Sequence, residues 1–312
     1  MTDLFSAADE AAALEDLHNR NMTDGLPVII PTPARVSKMV LASGQDADMI
    51  LGTMGPANGM ATLEKVAVAA VMAGCLPDYM PLVVAALKAV IDPRFDLTEM
   101  QATTHCTAPL IIVNGPARHT CGPVSSSYGA LGPGHRANAS IGRALRLAMI
   151  NIGGGRAGTS DMALLGHPGK FSYCLAENEE ASPFPPMHVD LGFDSQDSVV
   201  TVIGAEAPHS VLFSGNGDDP NQYELLLEVL AIGLANAATN NAILTSGMAT
   251  IVLNPEHASV LHKAGLSRQD IATEIYQLCK MDGAEANRLC AGFARKTLNP
   301  RQAFTGPEQL LI

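Results

Sequence analysis

The sequence predicts an α/β fold, a mixed or mostly parallel sheet flanked by helices, and three observations lead to it. Pro109 to Asn114, apolar through Val113, reads as a buried strand. The last third alternates strand and helix: Val199 to Gly204, a helix over 222–238, Thr250 to Leu253, then helices after Pro255 and after Ser267. Apolar residues make up 47% of the 312, yet aromatics reach only 4% and Trp is absent, so the core must be built from Ala, Gly, Val, Ile and Met, as in helices closely packed on a sheet.

The elements follow in order. Residues 1–23 form an N-terminal helical segment, acidic and solvent-facing over 5–20, and 24–312 read as a single compact α/β domain with a candidate subdivision near 185–198. From Asp24 to Pro33 the prolines hold the chain extended until Ala34. Ala61 to Ala73 is helical, with Thr62 as cap and Gly74 as stop, and Asp78 caps a second helix to Val90 with Pro81 in its first turn. After the strand at 109–114, the loop Gly115 to Arg136 is long and rich in Gly and Pro. A helix then starts near Asn138 or Ser140 and ends at Gly153, and Phe171 to Leu175 is a short strand before a proline cluster.

Composition excludes several functions. A formal charge of −12 without clustered Lys and Arg argues against nucleic acid. No apolar run reaches the roughly 18 residues of a membrane span, and Met1 to Arg20 lack the basic flank and apolar centre of an export signal. Six cysteines at irregular spacings read as reduced thiols, which places the expected location in the cytoplasm.

Chemistry gathers around the strand at 109–114, where His105-Cys106 precedes it and His119-Thr120-Cys121 follows it. Imidazole beside thiol makes a nucleophile with its base, or binds a soft or borderline transition metal. No two-residue Cys spacing supports a structural zinc site, and buried free cysteine is the other reading of each thiol. Cys121-Gly122-Pro123 leads to Val124 rather than a second Cys, which rules out a dithiol turn there. Three β-rich runs end in a proline and then a histidine, at His119, His209 and His257. These loops converge if they share the carboxyl edge of one sheet, and His209 with His257 is the candidate metal pair. Alternatively proline stops each strand and the histidines are ordinary loop residues.

Gly132, Gly134, His135, Arg136, Asn138 and Arg143 form a glycine-rich entry to a helix whose N–H groups and arginines suit an anionic substrate, joined by Asn114 from the strand. The same residues also suit a tight loop with both arginines in salt bridges. Glu177, after Cys174, is a candidate general base, whereas Glu179 and Glu180 read as a solvated turn.

Five segments carry a resemblance: Asp24-Gly25-Leu26-Pro27-Val28, Met72 to Tyr79, Gln101 to His105, Leu131 to Asn138 and Ala176 to Glu180. Together they resemble a group of bacterial proteins related to the UGSC family of (seleno)proteins. The likeness runs through most of residues 24–265 and implies one compact fold. The family's selenocysteine- or cysteine-Gly-Ser-Cys element is absent from this chain.

The expected function is a cytosolic enzyme acting on a small anionic molecule by hydrolysis or elimination, with His105, Cys106, His119, Cys121 and Glu177 at a Cys/His site that a transition metal assists or not. A non-catalytic subunit of a thiol or selenol redox assembly, working with a redox partner protein, is the alternative the resemblance implies. A structural oligomer is the third. The small-residue helices and the charged content of 16% favour that third reading, and a homo-oligomer is expected.

Overall fold

The computed structural model describes residues 4–312 other than 218, 238 and 294–299. The chain divides into two compact units. The first runs to Asn178 and resumes over Pro186–Ala207; the second comprises Glu179–Pro185 and Pro208–Ile312. The chain crosses between the units at 178/179, 185/186 and 207/208, and the strand at 199–205 belongs to the first unit's sheet. The N-terminal helix is not separate, since Leu17 is buried in the first unit's core.

The first unit begins with α1 (Glu10–Asn19) and α2 (Pro33–Ser43), where Thr32 caps and Pro33 occupies the first turn, one residue earlier than the prolines suggested. A hairpin follows, β1 (Ile50–Met54) and β2 (Gly59–Thr62). The helix α3 (Leu63–Ala73) keeps both expected ends: Thr62 accepts from the Lys65 N–H, and Gly74 closes it at positive φ. Then come α4 (Met80–Ile91), α5 (Leu97–Ala102), β3 (Ala108–Asn114), α6 (Ala117–Thr120), α7 (Arg136–Asn151), β4 (Cys174–Ala176), α8 (Met187–Asp190) and β5 (Val199–Ala205). Asp78 caps nothing, lying in a 3-10 turn over Pro77–Tyr79 ahead of α4.

The sheet has the order β4-β3-β5, with β4 parallel and β5 antiparallel to β3, so it is mixed and flanked by helices as expected. All of β3 is buried. It tolerates Pro109 because the Ile111 N–H points to the β4 side, at Tyr173 O. Residue 109 faces the same way, beyond where β4 begins to pair. The strand expected at 171–175 shrinks to Cys174–Ala176, since Pro168–Lys170 makes a 3-10 turn immediately before it. Ile141, Ala144, Leu145 and Ala148 place the apolar stripe of α7 on α3 and β4. Gly142 permits that approach, because a Cβ there would collide with Ser172 Oγ.

The second unit holds α9 (Gln222–Leu234), α10 (Asn240–Leu244), β6 (Ala249–Thr250), α11 (Pro255–Lys263), α12 (Arg268–Leu278), β7 (Lys280–Met281), α13 (Gly283–Leu289), β8 (Arg301–Gln302) and β9 (Leu310–Leu311). Its core centres on Leu226, Leu261, Ile271, Ile275 and Phe304. The expected strand at 250–253 is only two residues long and pairs with β9, leaving this unit mainly helical. Among the described residues no helix is long and apolar enough to cross a membrane.

Candidate active site at the carboxyl edge of the parallel strands

Because β3 and β4 are parallel, with Val113 opposite Ala176, their carboxyl ends deliver Asn114 and Glu177 to one edge. Asn114 is wholly buried. Its Nδ2 donates to Glu177 Oε2 at 2.5 Å, and the same oxygen accepts the N–H of Met187, the first residue of α8, at 2.8 Å. Two donors on one oxygen fix the orientation of the carboxylate, a prerequisite for positioned proton transfer. Glu177 N–H donates to Val113 O at 3.1 Å, holding its backbone to β3 past the end of β4.

The chain turns sharply after Asn114 through Gly115, at φ 78°, where a Cβ would strike the Asp197 carbonyl. The turn brings Arg118 inward, 5% exposed. Its Nε donates to Gly115 O and one terminal nitrogen to Glu177 O, both at 3.1 Å. Ser198 Oγ, just before β5, accepts the Ala117 N–H at 3.0 Å, so all three strands of the sheet contribute to this edge. His188 follows Met187 and is fully buried. His119 sits exposed on α6 and Cys121 half-buried at its end.

The edge thus pairs Asn114 with Glu177, leaves His119 and Cys121 on and just after the helix that follows β3, and adds Arg118, bonded to Glu177 O, and His188, the residue after Met187. Sequence reasoning passed over both additions. Pro186-Met187-His188 carries the same proline-then-histidine signal that singled out three other loops. Arg118 follows Gly115-Pro116 at a strand exit, and only the tertiary turn makes it a buried cation.

The other expected site residues go elsewhere. His105 and Cys106 precede β3, about 20 Å along the strand from Asn114 at the usual rise, and His105 Nδ1 lies 3.7 Å from Glu206 Oε1 on the surface. One Cys/His site containing both pairs is therefore incompatible with the fold.

The anion-binding loop is likewise taken up internally. Arg136 donates through Nε and one terminal nitrogen to Gly74 O, at 3.2 and 3.0 Å, capping α3. Arg143 grips Asp24 in a two-pronged pair at 2.7 and 2.8 Å and also donates to Leu26 O and Pro27 O. Asn138 receives the Ser125 N–H and donates to Ser125 O, Ala130 O and Cys174 O, lacing the loop to β4. Gly132 N–H closes a turn on Gly129 O, Gly134 takes φ 109°, and His135 Nε2 lies 3.3 Å from Tyr128 O. Helix α7 starts at Arg136, with no side chain capping it. Arg143 is in a salt bridge and clasps the 24–27 segment, whereas Arg136 holds a main-chain carbonyl.

His209 and His257 belong to the second unit, whereas His119 belongs to the first. His209 is exposed. The His257 ring packs edge-on against Phe213 at 5.4 Å, and the His257 backbone N–H donates to Asn254 Oδ1. Among the described residues no group of three or more His, Cys, Asp or Glu side chains is arranged to hold a metal ion.

All six cysteines are free. Burial pushes the Cys75 and Cys174 thiols up to about 12, and Cys75 donates to Ser140 O. Neither is a thiolate at neutral pH.

Compared with family models, curated proteins and solved structures, the chain matches none.

Proposed function

We propose that the chain is an enzyme that acts on a small anionic molecule by hydrolysis or elimination, with Glu177 as the acid–base group at the carboxyl edge of β3 and β4. The supporting observation is the carboxylate of Glu177 held on one oxygen by Asn114 Nδ2 and the Met187 N–H, at an edge where α/β sheets place their ligands. The Arg118 guanidinium, donating to the Glu177 main-chain carbonyl, contributes positive charge at this edge, which suits a carboxylate or phosphate on the substrate. His119 and His188, one on each flanking helix, supply further proton-transfer groups. The thiols play no nucleophilic part in this reading. Six free cysteines suit the reducing cytosol as its location.

Titration of methyl-labelled methionines with a panel of small carboxylates and phosphates tests the proposal. The Met187 methyl shifts saturably with at least one panel member, while Met281 in the second unit does not move. Saturable shifts confined to other methionines, or none with any member, contradict it.

A further inference from the structure

The two outer edges of the three-stranded sheet differ. The far edge of β4 is covered: Cys174 O accepts from Asn138 Nδ2 at 3.1 Å, and the Ala176 N–H donates to Ser125 O at 3.0 Å. The opposite edge is β5, seven residues in unbroken register with β3. Because the Ile111 N–H points to β4, the odd-numbered residues of β3 face that strand and the even-numbered ones face β5. Leu110 and Ile112 therefore bond Ile203 and Thr201, and the N–H and C=O groups of Val200, Val202 and Gly204 point away from the sheet. Among the described residues no group donates to or accepts from them.

An open edge of this length is a template for another strand, and edges that stay single carry lysine, proline, a bulge or a cover. Val199-Val200-Thr201-Val202-Ile203-Gly204-Ala205 carries no lysine, proline or bulge. Val199 to Ile203 are all β-branched, which suits a sheet, and Val200 and Val202 pack their side chains on the first unit's core. What the edge offers a partner is therefore backbone, and β5 itself is the matching strand. With Val202 opposite Val202 across a two-fold axis, Val200 falls opposite Gly204, and each pair exchanges two hydrogen bonds, so every outward group within the strand is satisfied. The same register sets Glu206 opposite Ser198 and Asp197 opposite Ala207, so no two carboxylates are directly opposed.

We infer that β5 is the interface of a two-fold dimer, in which β5 of one copy pairs antiparallel with β5 of a second copy and joins two three-stranded sheets into one. The contact is self-complementary, as a closed two-fold interface requires. The inference is independent of the reaction at Glu177.

The test follows the full chain by sedimentation velocity over a range of concentrations, and by hydrogen exchange read residue by residue with electron-transfer fragmentation. A dimer is expected in which the Val200, Val202 and Gly204 amides exchange slowly, becoming fast where dilution releases the monomer. The Thr201 and Ile203 amides, bonded to β3, stay slow in both states. Gly204→Pro removes one outward donor from each copy at an exposed position, where an edge strand tolerates proline and a Cβ would meet only the Met100 side chain, at 3.2 Å. It should raise the dimer dissociation constant about thirtyfold, with circular dichroism confirming the fold. The exchange measurement needs no variant and decides the question by itself if Gly204→Pro does not fold. A monomer at every concentration, a dimer in which the three outward amides exchange fast, slow exchange of those amides that persists in the monomer, or a dimer that folded Gly204→Pro leaves intact each overturns the inference.

Discussion

Asn114 Nδ2 meets Glu177 Oε2 at 2.5 Å, tying together the carboxyl ends of β3 and β4 with side chains that lie 63 positions apart in the sequence. The amide is wholly buried, so the bond is both a structural tie and the means of orienting the Glu177 carboxyl group. Replacing Asn114 with Leu should therefore lower the unfolding free energy in urea by about 1–3 kcal/mol, the range for stranding a buried hydrogen-bonding group. Unchanged stability would mean that the pair holds nothing together.

Asp24 and Arg143 form another buried tie, their side chains 3% and 16% exposed. Removing the guanidinium leaves a carboxylate in a nearly dry site, so Arg143→Ala should cost about 3–5 kcal/mol. Arg143→Lys should recover part of that, because it restores the charge without the fork. If the residue were instead a ligand grip, Arg143→Ala would leave the urea midpoint where it is.

How far the sequence was legible follows from where each signal resides. Helix α3 was readable at both ends because Thr62 and Gly74 are local devices. The start of α7 was not, since His135 makes no side-chain cap and the helix is held by packing. The β1–β2 hairpin went unread because Gly52, at φ 148° beside an irregularity in register, interrupts any alternation. Asn114 and Glu177 could be found as polar residues at strand exits. Arg118 and His188 could not be placed with them, because their burial depends on the turn at Gly115 and on the return of the chain after Pro186. The arginines of the glycine-rich loop misled because their partners, Gly74 and Asp24, lie 62 and 119 positions away.

Thiol reactivity should divide the cysteines into two classes. Burial pushes Cys75, Cys174 and Cys279 up to about 12, whereas Cys106, Cys121 and Cys290 are partly exposed. Alkylation of the folded protein at neutral pH should label only the second three, as read by mass spectrometry; rapid labelling of Cys174 would contradict its placement. The raised folded values also set a pH dependence. Below the ordinary thiol value near 9.0 all three are neutral in both states, and this contribution to stability is complete. Between there and about 12 the unfolded chain ionises first, so the urea midpoint should decline as pH rises through that window.

His167 sets the opposite dependence. Burial holds its imidazole below the usual histidine range, and Nδ1 accepts the Gly169 N–H at 3.1 Å, which requires that nitrogen to be unprotonated. A depressed folded value favours protonation of the unfolded chain, so stability is present above the ordinary value of about 6.5 and lost as pH falls below it. His167→Gln should flatten the urea-midpoint profile on the acid side of neutrality. A variant profile as steep as the native one would assign that loss to other groups.

The most direct test of the account compares kcat/KM for Glu177→Gln with that of the double variant Cys106→Ser, Cys121→Ser on a panel member whose turnover is followed by proton NMR. The account predicts a fall of about 10²–10⁴-fold in Glu177→Gln, the usual contribution of a positioned acid–base group, and little change in the double variant. Turnover that survives in Glu177→Gln but vanishes in the double variant would contradict it and return the chemistry to the thiols.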